Sequence, residues 1–199
     1  MLYVVRINDD EYDDNYNEVV LGIKMDENDV HGFSRYGPLF NIGSKISPQK
    51  PLIFDSGSNN FKLDDKYLDL DYFTANPMLV STRFAELLKT YCCNQIELMD
   101  AIIEFTGGQR SGYFAVNILN IVDAIDFNKS SIYRMLPSDP ASPLMIIEAV
   151  FNDMVLSGVQ IAVAAQAPGI IVASENFVKI CKENNIRGIE FWPNGKPPP

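Results

Sequence analysis

The stretch Ser81-Thr-Arg-Phe-Ala-Glu-Leu-Leu-Lys-Thr-Tyr-Cys-Cys-Asn-Gln-Ile-Glu97 returns 93 positions later, without a gap, as Ser174-Glu-Asn-Phe-Val-Lys-Ile-Cys-Lys-Glu-Asn-Asn-Ile-Arg-Gly-Ile-Glu190. Leu87 and Leu88 fall on Ile180 and Cys181, Lys89 falls on Lys182, and the apolar lead-in Met78-Leu79 falls on Ile171-Val172. Each copy reads as a short apolar strand, a serine suited to cap a helix, an amphipathic helix of about three turns, and a second strand opening on Ile-Glu. A repeated strand-helix-strand module says how the core is built. It names no chemistry.

Around the repeat the chain is rich in strand signals. Leu2 to Ile7 and Val19 to Ile23 carry the Val, Ile and Tyr content of strands. Residues 26–58 are crowded with Gly, Pro, Asn, Asp and Ser, with short strands expected only at Leu39 to Ile42 and Leu52 to Phe54. Ile96 to Phe105 reads as a long strand, Thr106 to Gly112 as the loop that turns it back, and Tyr113 to Ile125 as a second apolar stretch. Leu144 to Phe151 and Val159 to Ala164 read as another strand pair. Two helices amid about nine strands predict an α+β fold with a mostly antiparallel sheet. A boundary near residue 72 is expected to divide an acidic, loop-rich N-terminal β region (1–72) from the duplicated domain (73–193), with a free tail at 194–199.

The chain has 199 residues, 47% of them hydrophobic. A chain of this size buries roughly 70% of its unfolded surface and needs no metal or disulfide to hold together. Its three cysteines, Cys92, Cys93 and Cys181, fit a reduced compartment, and adjacent Cys92 and Cys93 are poorly placed to bond to each other. No apolar run reaches the length of a membrane span, and Arg6 with Asp9 and Asp10 breaks any secretory pattern at Met1. A cytoplasmic location without membrane association is the expectation.

The formal charge is −10, and residues 1–72 hold 14 of the 26 acids. No cluster of Lys and Arg suits phosphate, so nucleic acid is not expected as a partner. The run Asp9-Asp10-Glu11 with Asp13, Asp14 and Glu18 is either a solvated loop or a surface that steers a basic protein. Tyr12, Tyr16, Phe33 and Tyr36 stand near these acids as candidate contact aromatics, beside Asp10, Asp13 and Asp14.

Catalytic signatures are absent. His31 is the single histidine and neighbours Gly32 in a loop, and the chain holds no GxSxG, P-loop, HExxH or CxxC. Neither a cofactor nor a metal is predicted. The loop Gly107 to Gly112 with Arg110 is a weak anion cradle. Glu97 and Glu190, at matching positions of the repeat, read either as outward-facing strand residues or as a carboxylate pair. Asn117, Asn120, Asp123 and Asp126 recur every three positions within the apolar string Tyr113 to Ser130. Buried amides and carboxylates require partners, so these four either bond exposed backbone or build a ligand site.

Through Leu79-Val-Ser-Thr-Arg-Phe84, the string Tyr113 to Ser130, and Ile170 to Pro193, the sequence resembles a family: bacterial immunity proteins of the eleventh class in polymorphic-toxin systems, typified by a myxobacterial member. The resemblance spans residues 60–193. The family pattern sets two apolar-Val-Ser helix starts around a Leu-Asn-x-Val-Asp segment, here Leu119-Asn-Ile-Val-Asp123. One departure is that the family often has Ile-Phe-Arg after the glycine of the late strand, where this chain has Ile161-Ala162-Val163 after Gly158. The resemblance implies a non-enzymatic protein that binds and neutralises a cognate toxin domain. Two other classes remain open from the residues themselves: a small-ligand binder or enzyme using Asn117, Asn120 and Asp123, and a self-assembling scaffold subunit.

Overall fold

The computed structural model of the chain describes residues 1–7, 21–23, 40–46, 50–55, 65–73, 75–136, 138 and 144–194. In chain order these form β1 (Leu2–Ile7), β2 (Leu21–Ile23), β3 (Leu52–Asp55), β4 (Tyr72–Phe73), β5 (Ala75–Asn76), β6 (Met78–Ser81), α1 (Thr82–Cys92), β7 (Ile96–Phe105), β8 (Gly108–Ile118), β9 (Ile121–Val122), β10 (Ser131–Arg134), β11 (Leu144–Glu148), β12 (Ile161–Ala164), β13 (Ala167–Ser174), α2 (Glu175–Glu183) and β14 (Ile189–Pro193). The architecture is α+β: among the described residues most strand pairs are antiparallel, and the two α-helices lie at the two copies of the repeat.

Both helices start as the sequence predicts. Ser81 and Ser174 sit in extended backbone, and their hydroxyls accept from the Phe84 and Phe177 amides three residues on. Each cap satisfies an amide that has no partner inside the helix, which contributes about 1 kcal/mol.

The strands form a seven-stranded sheet ordered β4-β6-β8-β7-β3-β2-β5, a five-stranded sheet ordered β14-β1-β13-β12-β9, and a two-stranded ribbon of β10 and β11. In the first repeat, β6 and β7 flank α1 in sequence but are separated in the sheet by β8, antiparallel to both. In the second, β13 and β14 flank α2 and are separated in the same way by β1. The registers agree residue by residue. Ser81 faces Tyr113 and Ser174 faces Leu2, while Ile96 faces Ile118 and Ile189 faces Ile7. Leu2 to Ile7 therefore take the places of Tyr113 to Ile118, at a constant offset of 111. The neighbour on the other side matches too: Tyr72 pairs with Val80 as Ile161 pairs with Ala173. Each repeat is thus a four-stranded unit, β4-β6-β8-β7 or β12-β13-β1-β14. The middle strand comes last along the chain in the first unit and first in the second. The pairing also crosses residue 72: β1 belongs to the second unit, and β3 runs parallel to β7 with Leu52 beside Ala101.

Because successive strand residues point to opposite faces, each sheet sorts its side chains into two layers. Val80, Val116 and Ile118 of one sheet, with Val5, Ile161, Val163 and Ala173 of the other, meet the buried faces of both helices in one cluster. Phe84 and Phe177, neither exposed at all, stack there with ring centroids 6.3 Å apart. The alternate residues Leu79, Ala115, Met99 and Ala101 face a second cluster with Phe54 and Phe73. Leu2, Val172, Ala162 and Ala164 face a third with Phe151 and Leu156.

Three expectations are corrected. Gln109 to Gly112 are strand rather than loop: β8 begins at Gly108, whose φ of +132° lets Thr106-Gly107 close a tight hairpin, and Arg110 pairs with Ile103. Leu144 to Glu148 pair with β10, whereas Ile161 to Ala164 pair with β13 and, in parallel, with β9, so the two stretches do not form a strand pair. Phe40 to Ser44 form turns instead of a strand, with Asn41 at φ +59° and Gly43 at +83°.

Candidate functional site

Where each strand hands over to its helix, the two units build the same polar node. In the first, Asp71 is 3% exposed. Its carboxylate accepts from the Ser81 hydroxyl at 2.6 Å, from Arg83 Nε at 3.1 Å and from Arg83 Nη2, and from the Arg187 amide at 3.0 Å. The Asp71 carbonyl accepts from the Ser81 amide at 2.9 Å. In the second, Gln160 Oε1 accepts from the Ser174 hydroxyl at 2.7 Å and from Asn176 Nδ2 at 3.3 Å, and the Gln160 carbonyl accepts from the Ser174 amide at 2.9 Å. Gln160 and Asn176 therefore stand where Asp71 and Arg83 stand, neutral where the others are charged.

Each node is completed by the other unit. The Asp71 amide donates to the Arg187 carbonyl at 3.2 Å, and Arg83 donates to the Asn184 and Asn185 carbonyls at 3.1 and 2.8 Å, all in the turn that leaves α2. Conversely Gln95, in the turn that leaves α1, accepts from the Gln160 and Ile161 amides at 2.8 and 3.3 Å. This reciprocity is the pattern of two units related by a two-fold. The guanidinium also lies at the negative end of the α2 dipole. Burial pushes the Asp71 carboxyl upward, but the hydrogen bonds from Arg83, Ser81 and the Arg187 amide outweigh it and hold the group below the ordinary carboxylate range. A carboxylate so saturated with donors is a poor general base.

The four periodic polar residues do not converge. Asn117, wholly buried, accepts from the Asn41 amide at 2.9 Å and donates to the Ser44 carbonyl at 2.8 Å and to Glu97 at 3.1 Å. Glu97, opposite it across the ladder, also accepts from the Ile46 amide at 2.7 Å. The pair ties the turn at 40–46 to the hairpin of β7 and β8. Asn120 donates to the Ile161 carbonyl at 3.3 Å and its own carbonyl accepts from Val163, joining the two sheets. Asp123 accepts from Gln166 at 3.2 Å on the surface. Asp126 accepts from Lys129 at 2.8 Å, which lowers its pKa, and from the Asn128 amide at 3.1 Å. Glu190 lies in the other sheet from Glu97, opposite Arg6.

A cleft of about 610 Å³ at the start of α2 is lined by Met1, Asp153, Met154, Glu175 and Lys179 among others, and by none of the four periodic residues. Cys92 and Cys181 are buried in the shared core while Cys93 is exposed. Desolvation pushes the Cys92 thiol up to about 12 and raises Cys181 as well, which leaves both as packing groups rather than thiolate ligands. Among the described residues no three His, Cys, Asp or Glu gather as metal ligands, and no helix is long and apolar enough to cross a membrane. Asp10, Tyr12, Asp13, Asp14, Tyr16, His31, Phe33 and Tyr36 lie outside the described residues. The Asp71 node was not expected from the sequence; its one signal was Asp71 ahead of the repeated Ser-x-x-Phe.

Fold and site together define a paired-unit α+β protein whose two buried polar residues among those described, Asp71 and Asn117, join its own elements. The family model of the immunity protein family (Imm11) matches residues 55–196, and the chain belongs to that family. Comparison with individual curated proteins gives no match.

Proposed function

We propose that this protein neutralises a cognate toxin domain by forming a non-covalent complex with it in the cytoplasm of the cell that makes the toxin. Membership of the immunity protein family carries the reading. It is supported by a framework in which two units brace each other through reciprocal hydrogen bonds. A surface held by such a framework loses little conformational freedom on binding, which favours affinity. Neutralisation on this reading needs no covalent step: the chain covers the toxin's active cleft or holds it in an inactive form. In the proposed complex Asp10, Asp13 and Asp14 steer a basic partner, and Tyr12, Tyr16, Phe33 and Tyr36 supply contact area.

Co-expression with the toxin domain encoded beside this chain tests the reading. Rescued growth and a complex that co-purifies are expected. Cells that die as fast with the protein as without it, together with no complex at micromolar concentration, refute it. Asp10→Asn with Asp13→Asn and Asp14→Asn is expected to slow association and flatten its salt dependence at unchanged stability.

A further inference from the structure

The two units match in their strands and differ in what lies on them. By the paired registers Arg6 stands where Asn117 stands, Glu190 where Glu97 stands and Trp192 where Met99 stands. All three point away from the helices, because the alternate residues Val5, Ile189 and Phe191 face the shared core. In the first unit this corner of the sheet is sealed by residues 40–46: Asn117 and Met99 are buried, the Ser44 carbonyl accepts from Asn117, and the Ile46 amide donates to Glu97. The same stretch of chain leads on into β3, which pairs along the outer edge of β7. In the second unit β14 ends its sheet, Arg6 is exposed, and Glu190 and Trp192 are partly exposed. Among the described residues none makes a hydrogen bond or an ion pair with the side chain of Arg6 or Glu190. Although the two stand opposite each other in the ladder, the Arg6 guanidinium lies over the Trp192 ring, 4.2 Å from its centroid.

The first unit shows what such a corner takes. Its carboxylate is met by a main-chain amide and its side-chain donor by a main-chain carbonyl, both from one turn. Arg6 offers more donors than Asn117, and stacking on a ring occupies the guanidinium face while its in-plane N–H groups stay available to carbonyls. Arg and Trp are also the residue types in which interface energy concentrates. Both stand here on paired strands, so little freedom is lost when a partner arrives. Arg6 lies four positions before Asp10, so the corner adjoins in sequence the acidic run already assigned to steering the toxin. Resting on the toxin-neutralising reading, we propose that Arg6, Glu190 and Trp192 form a docking site for a turn of the toxin domain, which covers the second unit as residues 40–46 cover the first. Main-chain carbonyls of that turn accept from Arg6, a main-chain amide donates to Glu190, and an apolar side chain packs against Trp192. Because main-chain groups suffice for these bonds, a basic toxin drawn in by the acidic run can still dock on Arg6.

Trp192 is the single tryptophan, so growth on a fluorinated tryptophan places one fluorine NMR reporter in the corner. The full chain is titrated with the toxin domain encoded beside it, and affinity is measured for the unaltered chain, for Arg6→Glu, and for Tyr133→Ser with Ile147→Ser as a control exposed on the ribbon. The fluorine signal is expected to respond to exchange of water for heavy water in the free chain, and to shift and lose that response when toxin binds. Arg6→Glu is expected to weaken Kd about 30-fold or more, the loss typical of removing an interface anchor, with the control unchanged. Its thermal midpoint should stay close to that of the unaltered chain, because Arg6 is exposed. Binding by Arg6→Glu as tight as that of the unaltered chain, or a fluorine signal that toxin leaves unmoved, overturns this inference and leaves the toxin-neutralising reading standing. Failure of the unaltered chain to bind overturns both. A signal already shielded from solvent in the dilute free chain means that the corner is covered from within. One that becomes shielded only as the chain is concentrated assigns the corner to a second copy, and either result overturns the inference.

Discussion

Replacing Asp71 by Ala removes the acceptor of four hydrogen bonds, two of them from a guanidinium, and leaves the Ser81 hydroxyl and the Arg187 amide without this partner. A hydrogen bond to a charged group contributes about 1.5–3 kcal/mol, and breaking a fully buried ion pair costs about 3–5 kcal/mol. Arg83 is half exposed and keeps the Asn184 and Asn185 carbonyls, which limits the loss to about 2–4 kcal/mol. At 199 residues each kcal/mol moves the midpoint by about 2–4 °C, so a fall on the order of 10 °C is expected. Gln160→Ala supplies the internal reference, since it removes the equivalent acceptor without a charge and is expected to cost about 1 kcal/mol.

The pH dependence separates the two nodes. The folded-state pKa of Asp71 is depressed, so its contribution is fully present above the ordinary carboxylate value of about 4 and fades as the pH falls through the lower folded value. Urea unfolding of the unaltered chain and Asp71→Ala from pH 7 downward should show a stability gap that narrows below about pH 4. The gap for Gln160→Ala should stay level. If Asp71→Ala is no more destabilising than Gln160→Ala at pH 7, or its gap is level in acid, then the charged node is not what joins the units.

Asn117→Ala strands the Asn41 amide and the Ser44 carbonyl and deprives Glu97 of a donor, which should cost about 2–3 kcal/mol in urea unfolding; a loss under 1 kcal/mol would mean that water replaces the amide. A thiol reagent applied to the folded protein at pH 8 should label Cys93 at once and Cys92 and Cys181 only as fast as the chain opens. Equal rates for all three would contradict the burial of the pair.

How much was legible beforehand follows from where each signal lies. The repeat was readable because helix caps and amphipathic spacing are local: Ser81 and Ser174 each serve an amide three residues away, and the buried faces of α1 and α2 recur at helical spacing. The third strand of each unit was hidden from the same comparison. Tyr113 to Ile118 follows its repeat and Leu2 to Ile7 precedes its own by most of the chain, so no collinear alignment sets them together, although Val5 falls on Val116 and Ile7 on Ile118. Strands pair through backbone groups that are indifferent to which end of the chain delivers them. The periodic polar string was visible, but its destinations were not: Asn117 turns to the loop at 40–46, Asn120 to the other sheet and Asp126 to its own turn.

By itself, then, the sequence determined the α+β class, the duplicated strand-helix-strand unit, both helix starts and the resemblance that the family match upholds. Tertiary structure alone decided that β1 completes the second unit, that Asp71 with Arg83 reaches the turn after α2, and that Tyr133 and Ile147 face solvent. The first group depends on interactions a few residues long. The second depends on contacts between residues far apart in sequence, 101 positions for Arg83 and Asn184 and 182 for Ile7 and Ile189, which exist only once both sheets have closed on the shared helices.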